Sequence, residues 1–268
     1  MARRASALLL AAWAAAGLHP LPSIPAMPSA GPADVRCGAV RCGAAAEVIQ
    51  QHLGCSEEEA LRAEARLNGR SLRPHRCAEV CEGLQLRLRL SAAQLRKVAL
   101  TQPAILSLDF TVNLEPALTR LQQRIGLTDA ELARVIVRLP AVLGYNFESN
   151  LSPKLDALQT RIGASTEELK SIVLSQPSVL GLSLERNIAP KLDFFQDEFS
   201  LTTEELRRYI LKMPALLTYS LKNRYKPRLA RCLKAGAPME IVLDRISYTD
   251  TKFNASVPVD SGAWTIFV

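Results

Sequence analysis

The stretch 165–201, STEELKSIVLSQPSVLGLSLERNIAPKLDFFQDEFSL, is one copy of a unit that recurs every 37 residues along the chain. Two proline sets, one hydroxyl set and one leucine set each repeat at this spacing over four copies. These columns are Pro103, Pro140, Pro177 and Pro214; Pro116, Pro153, Pro190 and Pro227; Ser91, Thr128, Ser165 and Thr202; and Leu95, Leu132, Leu169 and Leu206. Four columns in the same register identify a repeat protein.

The first half of each copy has the pattern of a capped helix. Ser165 is followed three residues later by Glu168, which is the spacing of a capping box. Leu169 and Ile172 then follow on one helical face, and the helix must end before Pro177 because the residue before a proline disfavours the α conformation. We predict such a helix, helix A, in each repeat. Its starts are expected near Thr128, Ser165 and Thr202 and its ends near Pro140, Pro177 and Pro214.

The second half of each copy predicts a short turn and a second helix, helix B. The run Pro177-Ser-Val-Leu-Gly is too short for an ordinary α-helix and favours a single 3-10 turn. An asparagine column then predicts the N-cap of helix B, with the second proline in its first turn. This column is Asn113, Asn150 and Asn187, with Arg224 in the fourth place. Gly126 and Gly163, with Ser200 once, are expected to end the helix.

One such helix pair cannot bury its apolar face alone, whereas stacked pairs can. We therefore predict an all-α helical-repeat solenoid of 37-residue repeats, each with two helices and a short 3-10 turn. The residues expected to be buried are Leu169, Ile172, Leu192 and Phe195, and those expected to be exposed are Glu167 and Lys170.

The repeat pattern also divides the chain. The clear repeats and a closing helix occupy 91–253, because Leu243 and Ile246 continue two apolar columns. A degenerate first repeat is expected at 53–90, a linker at 34–52 and a tail at 254–268.

Residues 1–33 have the composition of a targeting leader. They contain Arg3 and Arg4, a short apolar run and five prolines, and the first acidic residue is Asp34. The charged start with an apolar run is typical of a signal peptide, and the absence of acids suits a transit peptide. A bipartite leader would explain both features, and a disordered Ala/Pro tail is the alternative. We expect delivery to an organelle, a mitochondrion or a plastid.

The repeat can also be compared with known families through its most characteristic residues. These are Glu168-Leu169, then Gln176-Pro177-Ser178-Val179-Leu180, then Asn187-Ile188-Ala189-Pro190-Lys191-Leu192. This pattern closely resembles the repeat of the mitochondrial transcription termination factor (mTERF) family. The segment Tyr248-Thr249-Asp250-Thr251-Lys252-Phe253 also resembles the C-terminal tail of that family. The resemblance implies a curved all-α superhelix, organellar targeting and binding of DNA or RNA in organelle gene expression.

The charge distribution favours a polyanionic partner. The net charge is +7, and nine basic residues but no acidic residue occur between Arg207 and Met239. Basic residues also recur by column, and stacked repeats would turn a column into a stripe that can follow a phosphate backbone. The predicted nucleic-acid-binding residues are Arg134, Lys154, Lys191, Arg207, Arg208, Lys212, Lys222, Arg224, Lys226, Arg228 and Arg231. The alternative is that these are ordinary solvated charges on helix surfaces.

Three aromatic residues at fixed repeat positions have two interpretations. Tyr145, Phe147 and Tyr219 could stack on bases, although residues at such positions more often belong to the core.

No pattern of an enzyme is visible in the sequence. The chain has no Gly-rich phosphate loop, no Ser/His/Asp set and only three histidines. A zinc site would require His52, Cys55, Cys77 and Cys81 to converge, which nothing local enforces. We therefore expect no catalysis, no cofactor and no metal.

Two classes of partner remain open. The first is double-stranded DNA or RNA in an organelle, with a role in transcription termination, transcription regulation or RNA processing. The second is a protein, for which the chain would be an interaction scaffold of helical repeats; binding that is insensitive to salt would favour it. We expect a monomer without membrane association in the mature form.

Overall fold

A computed structural model describes residues 43–257, so the predicted leader at 1–33 lies outside the described residues. This part of the chain contains thirteen α-helices and no strand, which confirms the all-α repeat fold. The helices are α1 Ala44–Leu53, α2 Glu57–Ala65, α3 Pro74–Leu88, α4 Ala92–Thr101, α5 Glu115–Ile125, α6 Asp129–Arg138, α7 Ser152–Ile162, α8 Thr166–Ser175, α9 Ala189–Phe199, α10 Thr203–Lys212, α11 Lys226–Lys234, α12 Met239–Arg245 and α13 Asp250–Ser256.

Helix A corresponds to α4, α6, α8 and α10, and its predicted boundaries are confirmed. Thr128, Ser165 and Thr202 are the N-caps of α6, α8 and α10, and each forms the complete capping box with the glutamate three residues later. Each of these helices ends two residues before its proline. The local signals of helix start and stop are therefore sufficient to set helix A.

The 3-10 turns and the ends of helix B also agree with the predictions. The turns span Pro103–Ser107, Pro140–Gly144, Pro177–Gly181 and Pro214–Leu217. Helix B corresponds to α5, α7, α9 and α11. Gly126, Gly163 and Ser200 follow the first three of these with φ values of 72°, 64° and 51°, the left-handed conformation that stops a helix.

The predicted N-cap of helix B is wrong by four residues. A five-residue π-helical turn precedes each helix B, and its cap is Asp109, Asn146, Ser183 or Ser220. The Asn146 side chain, for example, accepts a hydrogen bond from the Ser149 amide at 2.9 Å. Asn150 instead lies inside the turn. A proline near the start of helix B has no N–H to donate, so a wider turn loses little backbone bonding there.

The repeats stack through helix A and the 3-10 turns. α4 contacts α6, α6 contacts α8 and α8 contacts α10, while the turn at Pro140–Gly144 lies between those at Pro103–Ser107 and Pro177–Gly181. The residues predicted to form the core are buried, and they are Leu169, Ile172, Leu192 and Phe195. Glu167 is exposed as predicted.

Lys170 is an exception to the predicted exposure pattern. Its side chain is only 27% exposed and forms a salt bridge of 2.8 Å with Glu131 of the preceding repeat. The Lys170 ammonium also donates to the Gly126 carbonyl at 3.0 Å. The bond from Lys170, with the capping-box bonds from Thr128, lowers the pKa of Glu131 to about 2. Lys170 therefore joins its own repeat to the two repeats before it.

Both ends of the described part are more ordered than the sequence predicted. The linker prediction at 34–52 is wrong from Ala44 onward, because α1 packs on α2 and buries Ala46 and Ile49. The tail predicted from residue 254 is likewise part of α13 as far as Ser256, and Val257 is buried.

Candidate nucleic-acid interface

Five of the predicted binding residues have exposed side chains that form no salt bridge or side-chain hydrogen bond within residues 43–257. They are Arg134, Arg208, Lys212, Lys222 and Lys226, and we call them the exposed basic set. Arg208 and Lys212 lie on α10, and Lys222 and Lys226 lie in the π-helical turn and at the start of α11. Arg134 occupies the same place on α6 as Arg208 does on α10. Such charges remain free to contact phosphate.

Part of the exposed basic set lines an open groove of about 560 Å³ between the last two repeats. Lys222 and Lys226 approach it from the last repeat, and Arg186 approaches it from the preceding one. None of the described residues that line this groove is acidic. Arg186 was not among the predicted residues, because Ser149 and Asn223 occupy its column in the neighbouring repeats and give no periodic charge signal.

Three of the predicted binding residues are buried, and two of them are lysines of one column. The Lys154 ammonium donates to the Leu180 carbonyl at 2.6 Å and to the Asn150 side chain at 3.0 Å. Lys191 repeats this arrangement with the Leu217 carbonyl at 2.6 Å. Each lysine therefore runs from helix B into the 3-10 turn of the next repeat.

The prediction that Lys154 and Lys191 form a surface stripe is wrong, because both side chains are buried. They are 8% and 1% exposed, and desolvation lowers the pKa of both, that of Lys191 to about 8. An ammonium group that is enclosed and bonded to a carbonyl cannot also contact a phosphate outside. We infer that lysine recurs in this column because it forms a hydrogen bond between one repeat and the next.

Arg228 occupies the same column in the last repeat and is also buried, at 6% exposure. Its guanidinium donates to the Ile246 carbonyl at 2.9 Å and forms a salt bridge with Asp250. It also lies 4.4 Å from the centre of the Phe253 ring. Its predicted surface role is therefore wrong as well, because Arg228 binds α13.

Arg224 and Arg231 are half-buried and form hydrogen bonds with residues 248–257, which contain α13 and which we call the closing segment. Arg224 donates to the Tyr248 carbonyl and lies 3.9 Å from the centre of the Tyr219 ring. Arg231 donates to the Asn254 side chain at 2.7 Å. The basic run thus supplies both an exposed surface and the attachment of α13.

Arg207 is half-buried where α10 contacts the two preceding repeats. It donates to the Gly163 carbonyl at 2.9 Å, and its Nε lies 3.8 Å from the Glu168 carboxylate. This is the role that Lys170 has one repeat earlier. Arg207 is therefore less available for a ligand than Arg208, its neighbour on α10.

The three aromatic candidates are half-buried. Tyr145, Phe147 and Tyr219 all pack against the hydrophobic core. Their positions favour the core interpretation over free stacking platforms.

Comparison with protein-family models gives a match to the mTERF model over residues 53–254. The chain belongs to the mTERF family. No curated protein matches the chain. Family membership associates this chain with nucleic acids in organelles and with a repeat fold that is generally not enzymatic.

The described part of this mTERF protein contains neither a candidate membrane span nor a metal cluster. No helix within residues 43–257 is long and apolar enough to cross a bilayer. No three histidine, cysteine, aspartate or glutamate side chains in this part are placed to hold a metal ion. The cysteines described there, Cys55, Cys77, Cys81 and Cys232, are buried free thiols.

Proposed function

We propose that the chain binds nucleic acid in organelle gene expression through the exposed basic set. The observation that carries the proposal is the acid-free run 207–239, from which four side chains of the set extend without forming a salt bridge within residues 43–257. Unpaired exposed cations release the counterions of a phosphate backbone when they bind it. Arg186 adds a further exposed cation beside Lys222 and Lys226.

The contacts proposed here are electrostatic. Lysine and arginine on phosphates position a nucleic acid without reading its bases, so the exposed basic set supplies affinity and orientation. Double-stranded DNA and RNA both present such a backbone. Transcription termination, transcription regulation and RNA processing are the steps in which we place the chain, in a mitochondrion or a plastid reached through the leader at 1–33.

The test is a salt titration of binding to duplex DNA and to RNA. The variant Arg208→Gln/Lys222→Gln/Lys226→Gln removes three exposed cations. Its affinity should fall, and the slope of log affinity against log salt should decrease by about one for each contact removed. Thermal unfolding should change little, because exposed residues that form no specific bond contribute little to stability.

The matched control is Arg73→Gln/Arg89→Gln/Lys97→Gln, which removes three exposed cations without a salt bridge from the described residues before position 98. It changes the net charge equally, so a general charge effect would lower both slopes alike. Unchanged affinity and slope in the first variant would contradict the proposal. Salt-insensitive binding of a protein partner would then favour the scaffold function.

A further inference from the structure

An open cavity of about 890 Å³ lies between helix α5 and the 3-10 turn at Pro140–Gly144. It is at the opposite end of the clear repeats from most of the exposed basic set. Ala117, Asn113 and the Leu143 segment line it, together with residues that follow α2.

The cavity occupies the place where later repeats have a lysine. Lys154 and Lys191 each run from helix B to a leucine carbonyl 26 residues later. The residue of the first clear repeat in that column is Ala117, and the corresponding leucine is Leu143. Alanine has no donor, so this column supplies no bond to the Leu143 carbonyl in the first clear repeat. The Asn113 oxygen, which would receive the ammonium, instead accepts from the Asp109 amide at 3.1 Å.

Among the described residues, three arginines and no acidic residue line this cavity. They are Arg66, Arg70 and Arg120, and all three are exposed. Arg120 forms a 3.3 Å salt bridge with Glu148, but both side chains are more than half exposed, and such pairs are weak and easily exchanged.

The other residues that line the cavity include amide side chains and aromatic rings, which can contact a planar polar group. Gln102 and Asn146 contribute amide side chains, and Tyr145 and Phe147 contribute aromatic rings. A nucleobase can lie against a ring and bond with amides, while guanidinium groups bind a phosphate in a bidentate manner. A phosphate alone would use only part of this lining.

We propose that this cavity binds the phosphate and base of one nucleotide unit. The unit is either a free mononucleotide or a nucleotide of a bound strand, and the two sources share the same chemistry. If the unit belongs to a strand, the proposal rests on the proposed function; a free mononucleotide does not require it.

The deciding variant is Ala117→Lys, which restores the repeat pattern. Its ammonium would have the Leu143 carbonyl as an acceptor, with the second lone pair of the Asn113 oxygen beside it, and its side chain would narrow the cavity. It also adds a positive charge, so simple electrostatics predicts tighter binding of anions. Occupation of the cavity predicts the reverse, a loss of about tenfold or more, comparable to one charge-assisted contact.

The full-length chain is titrated calorimetrically with inorganic phosphate, with AMP and UMP, and with short oligonucleotides. We expect weak phosphate binding and tighter nucleotide binding, both reduced by Ala117→Lys and by Arg70→Gln/Arg120→Gln. The latter changes only exposed side chains, so it tests the site even if Ala117→Lys does not fold. Ala93→Lys adds a charge at an exposed position outside the cavity and should not reduce binding.

Loss of mononucleotide binding in both cavity variants, with oligonucleotide binding unchanged, would identify a free nucleotide as the ligand. Loss of oligonucleotide binding alone would identify a nucleotide of a strand. Unchanged affinity of the cavity variants for every probe overturns the proposal. The Arg208→Gln/Lys222→Gln/Lys226→Gln variant should retain mononucleotide binding, so failure of the cavity and failure of the basic set are distinguishable.

Discussion

Lys191 shows how one position in the repeat can serve different purposes. Its side chain is 1% exposed, and its ammonium satisfies a backbone carbonyl of the next repeat. The same column has Arg228 at the closing segment and Ala117 at the cavity. A buried charge is retained only when hydrogen bonds offset its desolvation, and the paired acceptors do this for the lysines.

The Lys191 ammonium should make stability depend on pH in a defined direction. Burial lowers its pKa in the folded state to about 8, whereas a lysine in an unfolded chain has a pKa of about 10.4. Between these values the unfolded state holds a proton that the folded state has released, so the free energy of unfolding should rise with pH. Chemical denaturation of the wild type and of Lys191→Met between pH 7 and 10 measures this.

The informative quantity is the difference between the two proteins, because other groups titrate in both. The wild type should gain stability relative to Lys191→Met above about pH 8. A difference that is constant with pH would show that the ammonium is not desolvated in this way.

At the scale of the elements, helix A of one repeat is bonded to the end of helix B two repeats earlier. Lys170 and Arg207 donate to the carbonyls of Gly126 and Gly163, which terminate α5 and α7. A cation at the C-terminal end of a helix bonds with carbonyls that lack an intrahelical partner. Ala133 interrupts this column.

Arg207 and Arg208 should therefore differ in their effect on stability. Arg207→Ala removes the hydrogen bond to Gly163 and the salt bridge with Glu168, and it should lower the free energy of unfolding by about 1 kcal/mol. Arg208→Ala should change it by less than about 0.5 kcal/mol, because the side chain is exposed and makes no salt bridge. Urea denaturation measures both. Equal values would mean that the inter-repeat bond contributes nothing.

The whole molecule is stabilised by contacts between neighbouring repeats, so disruption at one end should remain local. Phe253 is 3% exposed and packs under Arg228, which attaches α13 to the last repeat. This attachment buries the C-terminal end of the stack.

Phe253→Ala should remove that attachment at a cost of about 3 to 5 kcal/mol. Hydrogen exchange should become faster in α11, α12 and α13, while α2 to α4 retain their protection. Thr251→Ala, at an exposed position of the same helix, is the control and should leave exchange unchanged. Uniform loss of protection along the chain would contradict nearest-neighbour coupling.

Much of the fold was determined by the sequence alone. Helix A, the 3-10 turns and the ends of helix B depend on signals within a few residues, such as the capping box at Ser165 and the left-handed Gly163. Such interactions are local, so the spacing of residue types is enough to predict them.

The tertiary structure decided what depends on distant partners. The N-terminus of α1 has no capping side chain of its own. The Glu64 carboxylate accepts hydrogen bonds from the Gly43 and Ala45 amides there instead. Lys191 and Lys222 are both lysines of the repeat region. Lys191 is buried and donates to a carbonyl 26 residues away, whereas Lys222 is exposed. Whether a basic side chain is buried or exposed depends on which carbonyl or carboxylate of another repeat lies within its reach. A column of basic residues in the sequence does not show where those acceptors lie.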